Sequence, residues 1–129
     1  MPHKILLTDD DELVLIAMEE FLLAEGFEVE TVSSGKECLR RLSESRFDLL
    51  VLDVIMPGMQ GFEVCRAARQ LEAYRDVPII MLTAKSGEED RRRGLEAGAS
   101  LFLPKPINPA VLLGMIGRSL GLGETTVHP

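Results

Sequence analysis

The sequence predicts an α/β protein built on a doubly wound, five-stranded parallel sheet with strand order 2-1-3-4-5. Three observations predict it. Apolar runs of strand length alternate with helical stretches five times along the chain, and strict alternation implies parallel strands joined by right-handed crossovers. Ile5-Leu6-Leu7, Leu49-Leu50-Val51-Leu52 and Ile79-Ile80-Met81-Leu82 are apolar throughout, as strands covered on both faces are, and they take the centre of the sheet. Glu28-Val29-Glu30-Thr31-Val32 alternates and Leu101-Phe102-Leu103 is very short, so both suit edges.

Each element has its own justification. The first strand leads into a helix from about Glu12 to Glu25, with Val14, Ala17, Met18, Phe21 and Leu22 as its apolar face and Gly26 as its stop. After the alternating second strand, Ser34 to Glu37 reads as a capping box opening the second helix, and Ser86 to Glu89 reads the same way for the fourth. The third helix runs from about Phe62 to Tyr74, and Pro78 begins the fourth strand. Asn108-Pro109 supplies the fifth helix with a capping side chain and a proline in its first turn. Five strand-helix pairs in this order form a flavodoxin-like (βα)5 arrangement, whose switch point lies between the first and third strands.

With 129 residues, 46% hydrophobic and 27% charged, the chain is large enough to bury a core without disulfides or structural metal. The expected organisation is one domain over residues 1–120, with 121–129 as a flexible tail or linker stub. No apolar run approaches the roughly 20 residues that span a bilayer, and the first residues read as the lead into a strand rather than a signal peptide, so a cytoplasmic location is the expectation. The net charge of -7 argues against direct binding to nucleic acid or to an anionic membrane. Cys38 and Cys65 lack the spacing of a zinc site and read as small apolar residues, and His3 and His128 belong to no constellation.

Four polar signals each follow an apolar run: Asp9-Asp10-Asp11, Asp53, Thr83-Ala84 and Lys105-Pro106. The carboxyl ends of parallel strands lie along one edge, so acids, a hydroxyl and an amine converge on one crevice. Alone, Asp53 would be an ordinary turn acid. Beside Asp9 and Asp10 it joins carboxylates that repel one another by several kcal/mol at an effective dielectric of about 20, a cluster that calls for a proton or a hard divalent cation such as Mg2+. Asp11 is the expected cap of the first helix and stands outside the site.

Ile5-Leu-Leu-Thr-Asp-Asp-Asp11, Leu52-Asp-Val-Ile-Met-Pro-Gly-Met-Gln-Gly61, Met81-Leu-Thr-Ala84 and Leu103-Pro-Lys-Pro106 together resemble the receiver domain of two-component response regulators, as in the single-domain chemotaxis regulator. The resemblance covers residues 4 to about 120, with the motifs in the family's order. It implies that Asp53 is the phosphoacceptor, taking a phosphoryl group from a phosphohistidine on a histidine kinase or phosphotransfer protein. It implies a Mg2+ ion, or Mn2+ in its place, held by Asp9, Asp10, Asp53 and the backbone carbonyl of Ile55. It also implies that Lys105, aimed inward by a cis bond to Pro106, contacts Asp53 and then the phosphoryl group. Thr83 and Ala84 would donate to the phosphoryl oxygens, and the inward move of Thr83 would vacate space taken by Phe102. The resemblance further implies a domain that phosphorylates itself and does not turn over a separate metabolite. Its downstream target is not legible.

Some positions depart from the family's pattern. Phe102 stands where tyrosine is common, so the switch is decided by packing, and a plain core phenylalanine is the alternative. Gln60 stands where many receivers have an acid. Ile55 offers no polar group to orient water, which predicts a long-lived phosphoaspartate. The fourth helix is nearly all polar from Glu88 to Arg93, with Glu88–Arg92 and Glu89–Arg93 as its expected ion pairs and Leu95 as its one large apolar residue. The fifth carries Val111, Leu112, Leu113, Met115, Ile116, Leu120 and Leu122, enough apolar surface for a homodimer through the fourth and fifth helices. Three alternatives stay open: a phosphorylation-independent receiver-like adaptor, a flavin-binding electron carrier on the same fold, and an aspartyl phosphohydrolase. Against the second, the loop after the first strand is acidic; against the third, Ile55 sits where another acid is usual.

Overall fold

A computed structural model describes residues 2–84 and 88–122. Five strands, β1 (Lys4–Thr8), β2 (Glu28–Val32), β3 (Leu49–Asp53), β4 (Ile79–Thr83) and β5 (Leu101–Pro104), form one parallel sheet in the order β2-β1-β3-β4-β5. The predicted order and the central and edge assignments are those observed. Every residue of β3 and β4 is buried, whereas β2 and β5 keep partly exposed positions.

Helices α2 (Gly35–Glu44), α3 (Gly61–Gln70) and α4 (Glu88–Ala97) cover one face, and α1 (Glu12–Ala24) and α5 (Pro109–Ser119) cover the other. Two cores result. Even-numbered residues of β1 and β3, with Ile79, Met81 and Phe102, pack toward α2, α3 and α4; Ile5, Leu7, Leu49, Val51, Ile80, Leu82 and Leu103 pack toward α1 and α5. This period-two division decides on which face each site residue emerges.

Helix ends largely follow the sequence. The Asp11 carboxylate accepts from Leu13 N–H at 3.0 Å and Val14 N–H at 3.4 Å, and Asn108 Oδ1 accepts from Ala110 and Val111 at 2.9 and 3.2 Å. Gly26 adopts φ +97°, the left-handed conformation that ends α1. Ser34 Oγ accepts from Glu37 N–H at 3.2 Å, but the Glu37 carboxylate reaches Ser33, not Ser34. The Ser86 cap and the tail from residue 123 onward lie outside the described residues.

Three details differ from expectation. The core-facing stripe of α1 adds Leu15 to the expected Met18 and Leu22, with Val14 and Phe21 packed half-buried against the same core as expected, and leaves Ala17 exposed. The helix is apolar on most sides, so the direction of the sheet chooses the stripe. α3 stops at Gln70, and a separate 3-10 turn spans Glu72–Tyr74. The break serves Tyr74, which is 2% exposed, donates its hydroxyl to Ser45 O at 2.8 Å and accepts from Phe47 N–H at 3.2 Å. In α4 the ion pairs are Arg92 with Glu89 and Arg92 with Glu96. Arg91 and Arg93 instead lie over the rings of Phe102 and Phe62, at 5.3 and 4.4 Å from the centroids. Leu95 is exposed.

Arg69 near the end of α3 donates to the carbonyls of Gly98, Tyr74 and Val77 at 2.9, 2.8 and 2.6 Å, tying α3 to the segments that enter β4 and β5. Arg69→Met leaves three carbonyls without this donor and is expected to lower stability by about 2 kcal/mol, measured by urea denaturation. Cys38 and Cys65 are free and buried, and burial raises both thiols to about 11. No helix among the described residues is long and apolar enough to cross a membrane.

Candidate functional site

The alternation that sends Ile5 and Leu7, Leu49 and Val51, and Leu101 and Leu103 toward α1 and α5 carries on past the strand ends to Asp9, Asp53 and Lys105. These three side chains meet. Lys105 Nζ lies 3.1 Å from Asp53 Oδ2 and 3.4 Å from Asp9 Oδ2. The Lys105–Pro106 peptide bond is cis, as expected. Asp10 points into the solvent-exposed mouth, and one oxygen each from Asp9, Asp10 and Asp53 lie within 4.8 Å of one another. The cleft around them has a volume of about 710 Å³.

The acids are not equivalent. Asp9 is fully buried; its Oδ1 accepts from Asp11 N–H at 2.9 Å, while its Oδ2 has no hydrogen-bond donor and faces the Lys105 amine. Asp53 is 3% exposed. Burial, reinforced by the charge of Asp9, pushes its carboxyl up to about 6 against the opposing pull of Lys105. Burial pulls the Lys105 amine down, but the Asp53 and Asp9 carboxylates more than offset it, so its pKa is raised. One amine thus faces two crowded carboxylates, with a third at the rim. A hard cation with oxygen ligands fits this donor set, and a buried carboxylate oxygen that accepts no hydrogen bond is the kind of group such an ion satisfies.

Two glycine-dependent approaches shape the surroundings. A Cβ on Gly61, the first residue of α3, would stand 2.3 Å from the carbonyl oxygen of Asp53 and 3.0 Å from Val54 Cα. Gly61 N–H donates to Val54 O at 2.9 Å, so bare backbone lets α3 start directly against the Asp53 strand end. Gln60 opens the same helix, its N–H donating to Glu63 Oε1 at 2.9 Å, a local role that needs no acid there. The second approach is at Gly94 of α4, against the ring of Phe102.

Thr83 is 4% exposed, and Ala84, just beyond it, is exposed. By strand alternation Thr83 shares the α3/α4 side with Met81 and Phe102, not the side from which Asp9, Asp53 and Lys105 emerge. Phe102 is 9% exposed and packed inward. Sequence reasoning missed the exposed apolar rim: Leu13 lines the cleft with Ile55, the two being 77% and 63% exposed. The placement of Leu13 two residues after Asp11 was the available signal.

The sequence pattern of the response regulator receiver domain matches residues 5–117. Response regulator PleD of Caulobacter vibrioides is 42% identical over 120 residues, covering 93% of this chain and 26% of PleD. The chain spans between about a quarter and a half of the length of the curated relatives it matches. Among solved structures, the chemotaxis response regulator CheY4 of Vibrio cholerae superposes with a TM-score of 0.88 at 38% identity, covering 93% of this chain and all of that one. The receiver domain of sensor histidine kinase PA1611 from Pseudomonas aeruginosa, which holds a magnesium ion in its active-site cleft, superposes with a TM-score of 0.86 at 32% identity, covering 94% of this chain and 99% of that one.

Proposed function

The chain belongs to the response regulator receiver domain family of two-component signalling, and on that premise we propose that it is a phosphorylation-dependent switch with Asp53 as its phosphoacceptor. The observation that carries this reading is the meeting of Asp9, Asp10 and Asp53 with the Lys105 amine in one cleft. In the reaction, an ionised Asp53 oxygen forms a bond to phosphorus as the bond from phosphorus to an imidazole nitrogen of the donor breaks, and the imidazole leaves neutral after taking up a proton. Asp9, Asp10, Asp53 and the Ile55 carbonyl would hold Mg2+ or Mn2+, which supplies positive charge against the phosphoryl oxygens. Lys105 adds a fixed charge from the opposite side and shifts from the carboxylates to the new phosphoryl group. The Thr83 hydroxyl and Ala84 N–H donate to the same oxygens, which couples phosphate to the α4 side of the sheet.

The donor is a histidine kinase or phosphotransfer protein, and the exposed apolar rim of Leu13 and Ile55 supplies area on which it can dock. Residues 1–120 constitute the switching unit, acting in the cytoplasm. Exposed Leu95 and Val111 leave apolar area on α4 and α5 for a homodimer, which the solution mass with and without acetyl phosphate tests. Incubation with acetyl phosphate and Mg2+ is expected to add one phosphoryl group by intact mass, and Asp53→Asn none. An unlabelled wild type, or a target bound equally well by wild type and Asp53→Asn, would favour the phosphorylation-independent adaptor. Because Ile55 is apolar and exposed, Ile55→Asn is expected to shorten the phosphoaspartate lifetime roughly tenfold by orienting water, read from the decay of the labelled mass.

A further inference from the structure

Phe102 rests on the backbone of α4. A Cβ on Gly94 would stand 2.5 Å from Cε1 and 3.0 Å from Cζ of its ring, and 3.1 Å from Met81 Sδ, so any other residue there occupies the space of the ring. Arg91, one turn earlier on α4, covers the ring with its guanidinium carbon 5.3 Å from the centroid. Glycine is the poorest interior helix residue after proline, and α4 is already thinly packed, with only Gly94 and Ala97 buried. A glycine in its middle weakens the helix and returns one thing, room for the Phe102 ring.

We propose that Gly94 and Arg91 are positioning residues that set the resting place of Phe102, Gly94 as its seat and Arg91 as its cover, and that α4 thereby sets the threshold of the switch. The inference rests on the phosphorylation reading and deepens it. Thr83 lies two residues along β4 from Met81, the other wall of the seat, so ring and hydroxyl share one side of the sheet, and the ring's inward position goes with the phosphorylated arrangement, in which Thr83 has vacated that side. A phosphoryl group biases this equilibrium only through contacts that differ between the two states, and weakening the seat biases it the opposite way with no phosphate present.

The test uses the full chain carrying Gly94→Ala, Arg91→Ala or Gly114→Ala. The last is the control, because a Cβ on Gly114 of α5 meets nothing within 4 Å. The Phe102 ring is followed by NMR with labelled phenylalanine, assigned by Phe102→Leu, in protein without phosphate. Gly114→Ala is expected to raise Tm by about 3 °C through helix propensity and to leave the ring signal alone. Gly94→Ala is expected to move the ring signal and lower Tm, yet to raise Tm in a Phe102→Ala background, where the obstruction is gone. Arg91→Ala is expected to move the ring signal less, in the same direction. The acetyl phosphate concentration for half-labelling should rise roughly fivefold in Gly94→Ala relative to Gly114→Ala. The proposal is overturned if Gly94→Ala leaves the ring signal unchanged, if its Tm effect has one sign in both backgrounds, or if its labelling matches the control; an unmoved ring in Arg91→Ala overturns the part given to Arg91. A wild type that takes no label sinks the switch reading itself, while the ring and Tm measurements still decide the seat.

Discussion

Asp53→Asn is expected to make the metal-free protein more stable at pH 7, by on the order of 2 kcal/mol, while abolishing its capacity to accept phosphate. The sign follows from the direction of the shift. Asp53 titrates at about 6 in the fold, against an ordinary value of 3.8, so the folded state binds this proton more tightly than the unfolded chain does. The group therefore favours folding below pH 4, and that contribution is lost as the pH rises through 6, leaving a buried ionised carboxylate beside Asp9. The open mouth of the cleft, where Asp10 is exposed, screens part of the cost and holds the figure below the full shift. Urea denaturation in the presence of a chelator, at pH 4 and at pH 7, measures it: stability attributable to residue 53 should fall with pH in the wild type and stay level in Asp53→Asn. Millimolar Mg2+ should then raise the stability of the wild type and much less that of the variant, because a ligand stabilises only a fold that binds it. A metal-free wild type more stable than Asp53→Asn at pH 7 would mean that Lys105 already compensates the carboxylates.

Gly61→Ala is expected to cost about 3 kcal/mol and to impair the site with the fold. The added methyl would stand 2.3 Å from the Asp53 carbonyl oxygen, and that oxygen belongs to the backbone of a fully buried strand, so it cannot turn aside as a side-chain end could. α3 would have to back away from β3, breaking the 2.9 Å bond from Gly61 N–H to Val54 O. Thermal unfolding reports the loss of stability, and the rate of labelling by acetyl phosphate reports the displacement of Asp53. A fully stable Gly61→Ala variant that labels normally would show that α3 is free to slide.

The sheet was legible because its information is local. Three runs apolar on both faces can only be central, and Asp9, Asp53 and Lys105 each sit beside the end of a recognisable strand, so strand order alone assembles them. The cap at Asp11 was legible for the same reason, its acceptor and donors lying within three residues. What escaped depends on contacts between distant segments. Nothing around Tyr74 in sequence announces that its hydroxyl will bridge Ser45 and Phe47 and end α3 early. The run Leu13 to Met18 is apolar at every position, so periodicity cannot choose Leu15 over Val14 before the sheet is placed. The arginines of α4 offered only pairs with acids of their own helix, yet two of the three stack on rings from other elements. Within the site, the division of labour between buried Asp9 and exposed Asp10 follows from side-chain alternation, whereas the bare backbone at Gly94 acquires its meaning only when β5 lies beside α4.

Asp9, Asp53 and Lys105 emerge toward α1 and α5, while Thr83 and Phe102 face α3 and α4, so under the proposed reading the message passes through the thickness of a single sheet. Delivery and readout then occupy opposite flanks of a small molecule. An upstream protein seated by Leu13 need not vacate before a downstream one approaches Phe102, and a three-body encounter, with hand-over inside it, becomes sterically open to a domain of this size.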